Sequence, residues 1–208
     1  MKAAEISKLE VGLQQLQLDL SETMKNQLIK YLQLLDKWNQ TYNLTAVHPD
    51  DRLIKHIFDS LVILPYLQGD KIVDVGTGAG LPGVVLAIAR PDLQFILIDS
   101  NAKKVRFVKQ VIMDLSLSHV TAICTRVEQW KVHDSFTSVI SRAYSRLAQF
   151  YSQTALLATS DTHWLAMKGA ITTDELAEVA NLSIEIIPLQ VPQLEAVRTL
   201  CIMTQFKR

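Results

Sequence analysis

The sequence predicts an α/β fold, a mostly parallel sheet wound by helices, ending in a C-terminal antiparallel hairpin and preceded by a helical extension. Three observations carry this. From Lys71 onward, short β-branched apolar runs alternate with amphipathic helical ones, which implies parallel βαβ units with right-handed crossovers. The run Lys71-Ile-Val-Asp-Val-Gly-Thr-Gly-Ala-Gly-Leu-Pro-Gly83 ends an apolar strand in a glycine-dense turn, with Pro82 placed as the first residue of a helix. The last two apolar runs, 184–191 and 199–206, are joined by a short polar connection with no helix, so they must pair antiparallel.

Taken in order, the first third reads as helical. Ile6, Leu9, Leu13 and Leu16 recur at helix spacing. Ser21 is the expected N-cap of a second helix carrying Leu28, Leu32, Leu35 and Trp38 on one face. Pro49-Asp-Asp opens a third helix, with Leu53, Ile54, Ile57 and Leu61 inward and Pro65 near its end. No Gly-, Ser- or Pro-rich linker follows, so residues 1–66 are expected to pack directly on a core formed by 67–208. Strands are expected at 72–75, 95–98, 120–123, 138–140 and 164–167, apolar enough to be covered on both faces. Helices are expected at 84–89, 102–115, 147–158 and 174–182.

Bulk properties bound the function. The 208 residues are 49% hydrophobic, with 21 basic and 21 acidic side chains, so overall charge gives no reason to expect nucleic-acid binding; a local basic patch would be needed. No apolar run reaches the ~18–20 residues that cross a bilayer, and the first residues do not read as a secretory signal. Cys124 and Cys201 make no metal or disulfide pattern, and a reduced, cytoplasmic setting is expected.

Gly76-x-Gly78-x-Gly80 after Asp74 matches the first motif of S-adenosylmethionine-dependent methyltransferases, while Gly78-x-Gly80-x-x-Gly83 matches a dinucleotide fingerprint. Both readings present bare loop amides to a ligand; a purely structural turn is the bland alternative. Asp99 ends the second strand, where a carboxylate can accept from both hydroxyls of a ribose, though a solvated strand-end acid is common. A ribose cannot separate the two cofactors, but two absences can. No Tyr-x-x-x-Lys supplies a dehydrogenase proton donor, and the chain is too short for a substrate domain. The terminal hairpin suits a Rossmann-like methyltransferase sheet, in which an antiparallel last strand inserts beside parallel ones, and this is the preferred reading.

Glu128, with the Val127 backbone beside it, follows the third strand within reach of an adenine edge. Arg142 follows the fourth strand, facing the place where donor and acceptor meet; a sheet-edge salt bridge is its plain alternative. Lys103, Lys104, Arg106 and Lys109 cluster early in the helix after Asp99, either to hold RNA phosphates or as a solvated face, and Lys168 opens toward the same cleft. His56 and Asp59, one turn apart, are expected to be a satisfied structural pair; two such groups make no metal site.

Together these residues resemble one family. The markers are Lys37-Trp-Asn-Gln-Thr-Tyr-Asn-Leu-Thr45, Lys55-His-Ile-Phe-Asp-Ser60, Asp74-Val-Gly-Thr-Gly-Ala-Gly-Leu-Pro-Gly83, Val105-Arg-Phe107, Arg126-Val-Glu128, Ile140-Ser-Arg-Ala143 and Ala166-Met-Lys-Gly169. Over nearly its whole length the chain is similar to the RsmG family of bacterial small-subunit ribosomal RNA guanine-N7 methyltransferases, formerly called glucose-inhibited division protein B. Ala79, where some members have Pro, and Met167, where many have Leu, are small departures. The resemblance implies S-adenosylmethionine as cofactor, held at Gly76, Leu81, Val127, Glu128 and Arg142, to which Gly78 and Asp99 are added from the motif reading. It implies one guanine of the small-subunit (16S) RNA as target, alone or within the assembled subunit. Separately, a monomer acting without metal or membrane is expected.

Guanine N7 has an in-plane lone pair and no proton, so alignment and exclusion of water suffice and no acid–base residue is named. Ser-Arg-Ala stands where exocyclic-amine enzymes carry Asn/Asp-Pro-Pro-aromatic, and the cysteines fall within or at the end of expected strands, not on a loop at the cleft. A nicotinamide-dependent oxidoreductase and a non-catalytic ribosome-assembly binder stay open as alternatives.

Overall fold

The computed structural model describes residues 3–131, 134–142, 144 and 146–206. Ala143, in one of the quoted markers, lies outside them. Helix α1 (Ala3–Gln15) leads to α2 (Glu22–Tyr42), whose start is set by the Ser21 hydroxyl accepting from the Met24 N–H. Asn43 ends α2 in the left-handed conformation.

The third expected helix is not a plain α-helix. Pro49–Asp51 is a 3₁₀ turn, Leu53–Phe58 a π-helix, and only Asp59–Leu61 (α3) is α-helical; Leu64–Tyr66 closes with a further 3₁₀ turn. The wider π turn lets Lys55, His56 and Asp59 line one cavity while Leu53, Ile57, Phe58 and Leu61 stay buried.

The sheet comprises β1 (Lys71–Val75), β2 (Gln94–Asp99), β3 (Val120–Cys124), β4 (Phe136–Ser141), β5 (Ala158–Lys168), β6 (Ser183–Pro188) and β7 (Thr199–Thr204), in the order β3-β2-β1-β4-β5-β7-β6. The first five are parallel; β7 runs antiparallel between β5 and β6. Strand order reverses at β1/β4, so the crevice beyond their carboxyl ends is where such a sheet binds ligands.

Alternate residues cover the two faces. Ile72, Phe95 and Leu97 pack with α1, α2, α4 (Gly83–Ala89) and α5 (Ala102–Asp114). Val73, Val75 and Trp164 pack with α6 (Leu147–Thr154) and with Val179 and Leu182, which follow α7 (Thr173–Ala177). Pro82 stands just before α4 rather than inside it.

Two helices stop early for visible reasons. In α6 the Thr154 hydroxyl donates to the Phe150 carbonyl at 2.6 Å and accepts from Trp164 Nε1 at 2.9 Å, after which Ala155–Leu157 tighten to 3₁₀ and β5 begins. After α7, amides bond three residues back, Val179 to Leu176 and Leu182 to Val179, which tightens the chain into β6. The terminal strands are also shorter than expected, ending at Pro188 and Thr204.

Candidate functional site

Three cavities lie in a row beyond the carboxyl ends of the central strands. The first, about 240 Å³, is lined by Asp99, Val127, Glu128 and Tyr144; the second, about 230 Å³, by the glycine loop, Lys104, Thr45 and His56. The third, about 290 Å³, is lined by Lys55, Asp59, Met167, Lys168 and Arg198. Gly76 belongs to the first two, and His56 and Arg142 to the second and third, so the row is continuous.

The loop is shaped by its own hydrogen bonds. Gly76 and Thr77 N–H both donate to the Ile98 carbonyl, at 2.8 and 2.9 Å, tying the turn to β2. Gly80 and Leu81 N–H donate to the Thr77 carbonyl, at 2.9 and 2.8 Å. Gly78 N–H donates to Asp99 Oδ2 at 2.9 Å, and Gly83 N–H to Asp74 Oδ2 at 2.8 Å. The expectation of bare amides is therefore corrected: these donors are already paired within the fold. What the loop presents is a concave surface. Gly78 sits at φ +58°, and a Cβ built there meets nothing nearer than the Gly76 carbonyl and Lys104 Nζ, both at 3.9 Å. Any side chain would instead occupy the space left to a ligand.

Beneath the loop, Asp74 is fully buried. Its Oδ2 also accepts from the Thr77 hydroxyl at 2.7 Å, while Oδ1 has no hydrogen-bond partner. Burial pushes its pKa up to about 6, against the pull of the Thr77 and Gly83 donors. At Gly83 a Cβ would come within 2.2 Å of Leu97 and 2.7 Å of Asp74 Oδ2, so only glycine allows α4 to start this close to the carboxylate.

Asp99 Oδ1 accepts from Asn101 N–H at 2.8 Å, and the Asn101 side chain in turn caps α5. Each carboxylate oxygen of Asp99 thus holds one backbone donor and keeps acceptor capacity facing the first cavity. Val127 is buried and Glu128 exposed at the same rim. Tyr144 forms the opposite wall with its ring 5.2 Å from Phe150; burial, then the nearby Glu128 charge, pushes its phenol up to about 12.

At the other end, Arg142 Nη1 donates to the Lys55 carbonyl and to Asp59 Oδ2, each at 3.2 Å. Asp59 Oδ1 accepts from Arg198 Nε at 2.7 Å. The carboxylate is 3% exposed, held between guanidinium groups brought from β4 and from the β6–β7 connection. His56 and Asp59 are therefore not a pair. His56 Nδ1 lies 3.0 Å from the Lys55 carbonyl, which makes it the protonated nitrogen, and the Thr45 hydroxyl lies 3.0 Å from Nε2. Burial, then the Arg142 charge, lowers the His56 pKa to about 4, so the ring is neutral. Lys168 lines the third cavity with its ammonium on Glu175 Oε1 at 2.7 Å.

The structure thus gathers Gly76, Gly78, Leu81, Asp99, Val127, Glu128, Arg142, Lys104 and Lys168 on one cavity row. Lys103 and Arg106 lie outside it, on the exposed face of α5. Residues the sequence reading left without a role are Tyr144, Thr45 and Arg198, and Asp59 was expected only as a partner of His56. Thr45 and Asp59 sat inside quoted markers, and Tyr144 two residues past Arg142, but nothing local singles out Arg198.

Comparison with known proteins bears on the family and the fold. The family model described as GidB, rRNA small subunit methyltransferase G, matches residues 24–201. The ribosomal RNA small subunit methyltransferase G of Methylobacillus flagellatus is 46% identical over 194 residues, covering 93% of this chain and 95% of its own. That of Glaesserella parasuis is 42% identical over 203 residues, covering 96% and 100%. The fold is similar to that of a putative S-adenosyl-L-methionine-dependent methyltransferase from Methanococcus maripaludis, with a TM-score of 0.60 at 14% identity over 85% of this chain and 93% of that one.

Proposed function

This chain belongs to the rRNA small subunit methyltransferase G family, and on that footing we propose that its first two cavities hold S-adenosylmethionine and its third the acceptor guanine. It is an S-adenosylmethionine-dependent enzyme that methylates small-subunit ribosomal RNA. Guanine N7 as the acceptor atom follows from the family resemblance. The reading also places the enzyme in the cytoplasm, acting as a monomer. The observation that carries the site is the continuity of the row: a sugar-facing carboxylate, an open glycine crest and an arginine-lined chamber meet through Gly76, His56 and Arg142.

The residues fit the cofactor. Asp99 would take both ribose hydroxyls on its remaining lone pairs, Glu128 and the Val127 backbone would flank the adenine, and Gly76, Gly78 and Leu81 would line the amino-acid portion. S-adenosylmethionine, when bound, supplies an electrophilic methyl group on a cationic sulfonium. The chain supplies placement. Arg142, fixed by Lys55 and Asp59, stands where the two chambers join and has further N–H groups with which to orient the guanine or its phosphate. Neutral His56 adds no charge beside a centre that carries positive charge throughout the transfer. Nucleophilic N7 bears no proton, so no side chain has to remove one. Lys104 and the exposed Lys103 and Arg106 offer RNA phosphates a basic approach to the row.

The test pairs binding with transfer. Purified chain should bind S-adenosylmethionine in calorimetry and place labelled methyl on one guanine of small-subunit RNA from cells lacking the enzyme. Gly78→Val should abolish binding, since a side chain fills the crest and a β-branched residue at φ +58° is strained. Undiminished affinity in that variant would move the cofactor elsewhere.

A further inference from the structure

Tyr31, in the middle of α2, is wholly buried, hydroxyl included, although tyrosine usually keeps that group at a wet boundary. The hydroxyl donates to the Ala79 carbonyl at 2.9 Å, across 48 residues of sequence. Burial holds the phenol well above its ordinary pKa, so it stays a donor. Ala79 is the crest of the glycine loop and lines the second cavity. Its peptide is fixed at both ends, since the N–H of the next residue, Gly80, donates to Thr77 at 2.9 Å.

The amide ties to Ile98 and Asp99 hold the loop on the β2 side and leave the carbonyl of its crest to be held from elsewhere. Gly76, Gly78 and Gly80 all adopt positive φ, which glycine enters at little cost and leaves as readily, so sterics alone do not defend the crest. Tyr31 provides a tie from a helix held rigidly by other means. Its ring centroid is 6.3 Å from that of Phe107 on α5, Trp38 lies 5.7 Å from the same ring, and Gln27 Nε2 donates to the Leu115 carbonyl at 2.9 Å. The Ala79 carbonyl is thereby drawn into the core, away from the chamber. We propose that Tyr31 is a positioning residue for the methyl donor, making the N-terminal helices part of the cofactor site. The inference rests on the reading that the second cavity takes S-adenosylmethionine.

Tyr31→Phe tests it, because the ring keeps its place against Phe107 and only the hydroxyl is lost. Calorimetry of the full chain with S-adenosylmethionine should show affinity about tenfold weaker, the scale of one buried carbonyl left without its donor. Steady-state transfer to small subunits should show KM for S-adenosylmethionine rising while kcat and KM for the subunits hold. Gln27→Ala, one turn earlier on the same helix, cuts a comparable bond away from the loop. It should lower the melting temperature without moving that affinity. Equal affinity in Tyr31→Phe and wild type overturns the inference, as does equal weakening in Gln27→Ala, which would mark general destabilisation. Wild-type chain that binds no S-adenosylmethionine overturns the cavity reading itself and the inference with it.

Discussion

Two buried ionisable side chains at the site, Asp74 and His56, titrate in one pH window with opposite effects on stability. Asp74 has its folded pKa raised from 3.8 to about 6, so the fold favours its protonated form. Its contribution is full below pH 4 and is lost as pH rises through about 6. His56 has its folded pKa lowered from 6.5 to about 4, so its contribution is full above pH 6.5 and is lost as pH falls toward 4. The two slopes oppose each other, and single variants should unmask them. In Asp74→Asn, stability should rise more steeply with pH between 4 and 6 than in wild type; in His56→Gln it should rise less, or fall. The Asp74 effect is on the order of 2–3 kcal/mol across the window. Denaturant midpoints measured at half-unit steps would check both signs, and parallel profiles for wild type and variants would contradict the burial of these groups. Asp74 and His56 were legible in the sequence as parts of motifs. So were Thr77 and Gly83, which bind Asp74 from within the same motif. The contacts of Thr45 with His56, of Arg198 with Asp59 and of Tyr31 with Ala79 were not, because they are made through folding rather than through spacing.

Among the elements, strands and helices were legible wherever one period dominated. The first four parallel strands and α5 fall within two residues of expectation, because continuous apolar runs and a capped 3.6-residue pattern have no competing interpretation. The π-helix over Leu53–Phe58 was hidden because Leu53, Ile57 and Leu61 fit an α-helix equally well. The first half of β5 was hidden too, since Ser160 and Asp161 are polar edge positions. This unforeseen π-helix leads into α3, whose first residue, Asp59, ties α3 to β4 and to the β6–β7 connection. Asp59→Asn should therefore reduce methyl transfer about tenfold or more while affinity for S-adenosylmethionine changes by no more than about threefold, because the first cavity and the glycine loop make no contact with Asp59. Single-turnover transfer beside calorimetry would separate these; full activity would mean that Arg142 and Arg198 are positioned by something else.

For the molecule as a whole, zero net charge leaves RNA attraction to local groups. Lys168 and Arg198 are balanced by Glu175 and Asp59, whereas Lys103 and Arg106 stand exposed on α5. Binding to small subunits should weaken linearly in log salt, by about 0.7–0.9 per phosphate contacted, and the double variant Lys103→Ala, Arg106→Ala should flatten the slope by about 1–2. An unchanged slope would put the RNA on another face. The α/β class and the terminal hairpin were legible in outline, whereas the insertion of β7 beside a parallel strand was expected only from the likeness to a methyltransferase sheet. Pairing order depends on contacts between distant segments, and no local pattern encodes it. That insertion has a consequence for synthesis. Because β7 emerges from the ribosome after β6 yet belongs between β6 and β5, the sheet cannot grow strand by strand as translation proceeds. The β5 border must wait bare until the later segment slots in, and the arginine just ahead of β7 reaches its aspartate only at that moment. The Arg198–Asp59 tie at the third cavity is thus among the last contacts that synthesis permits.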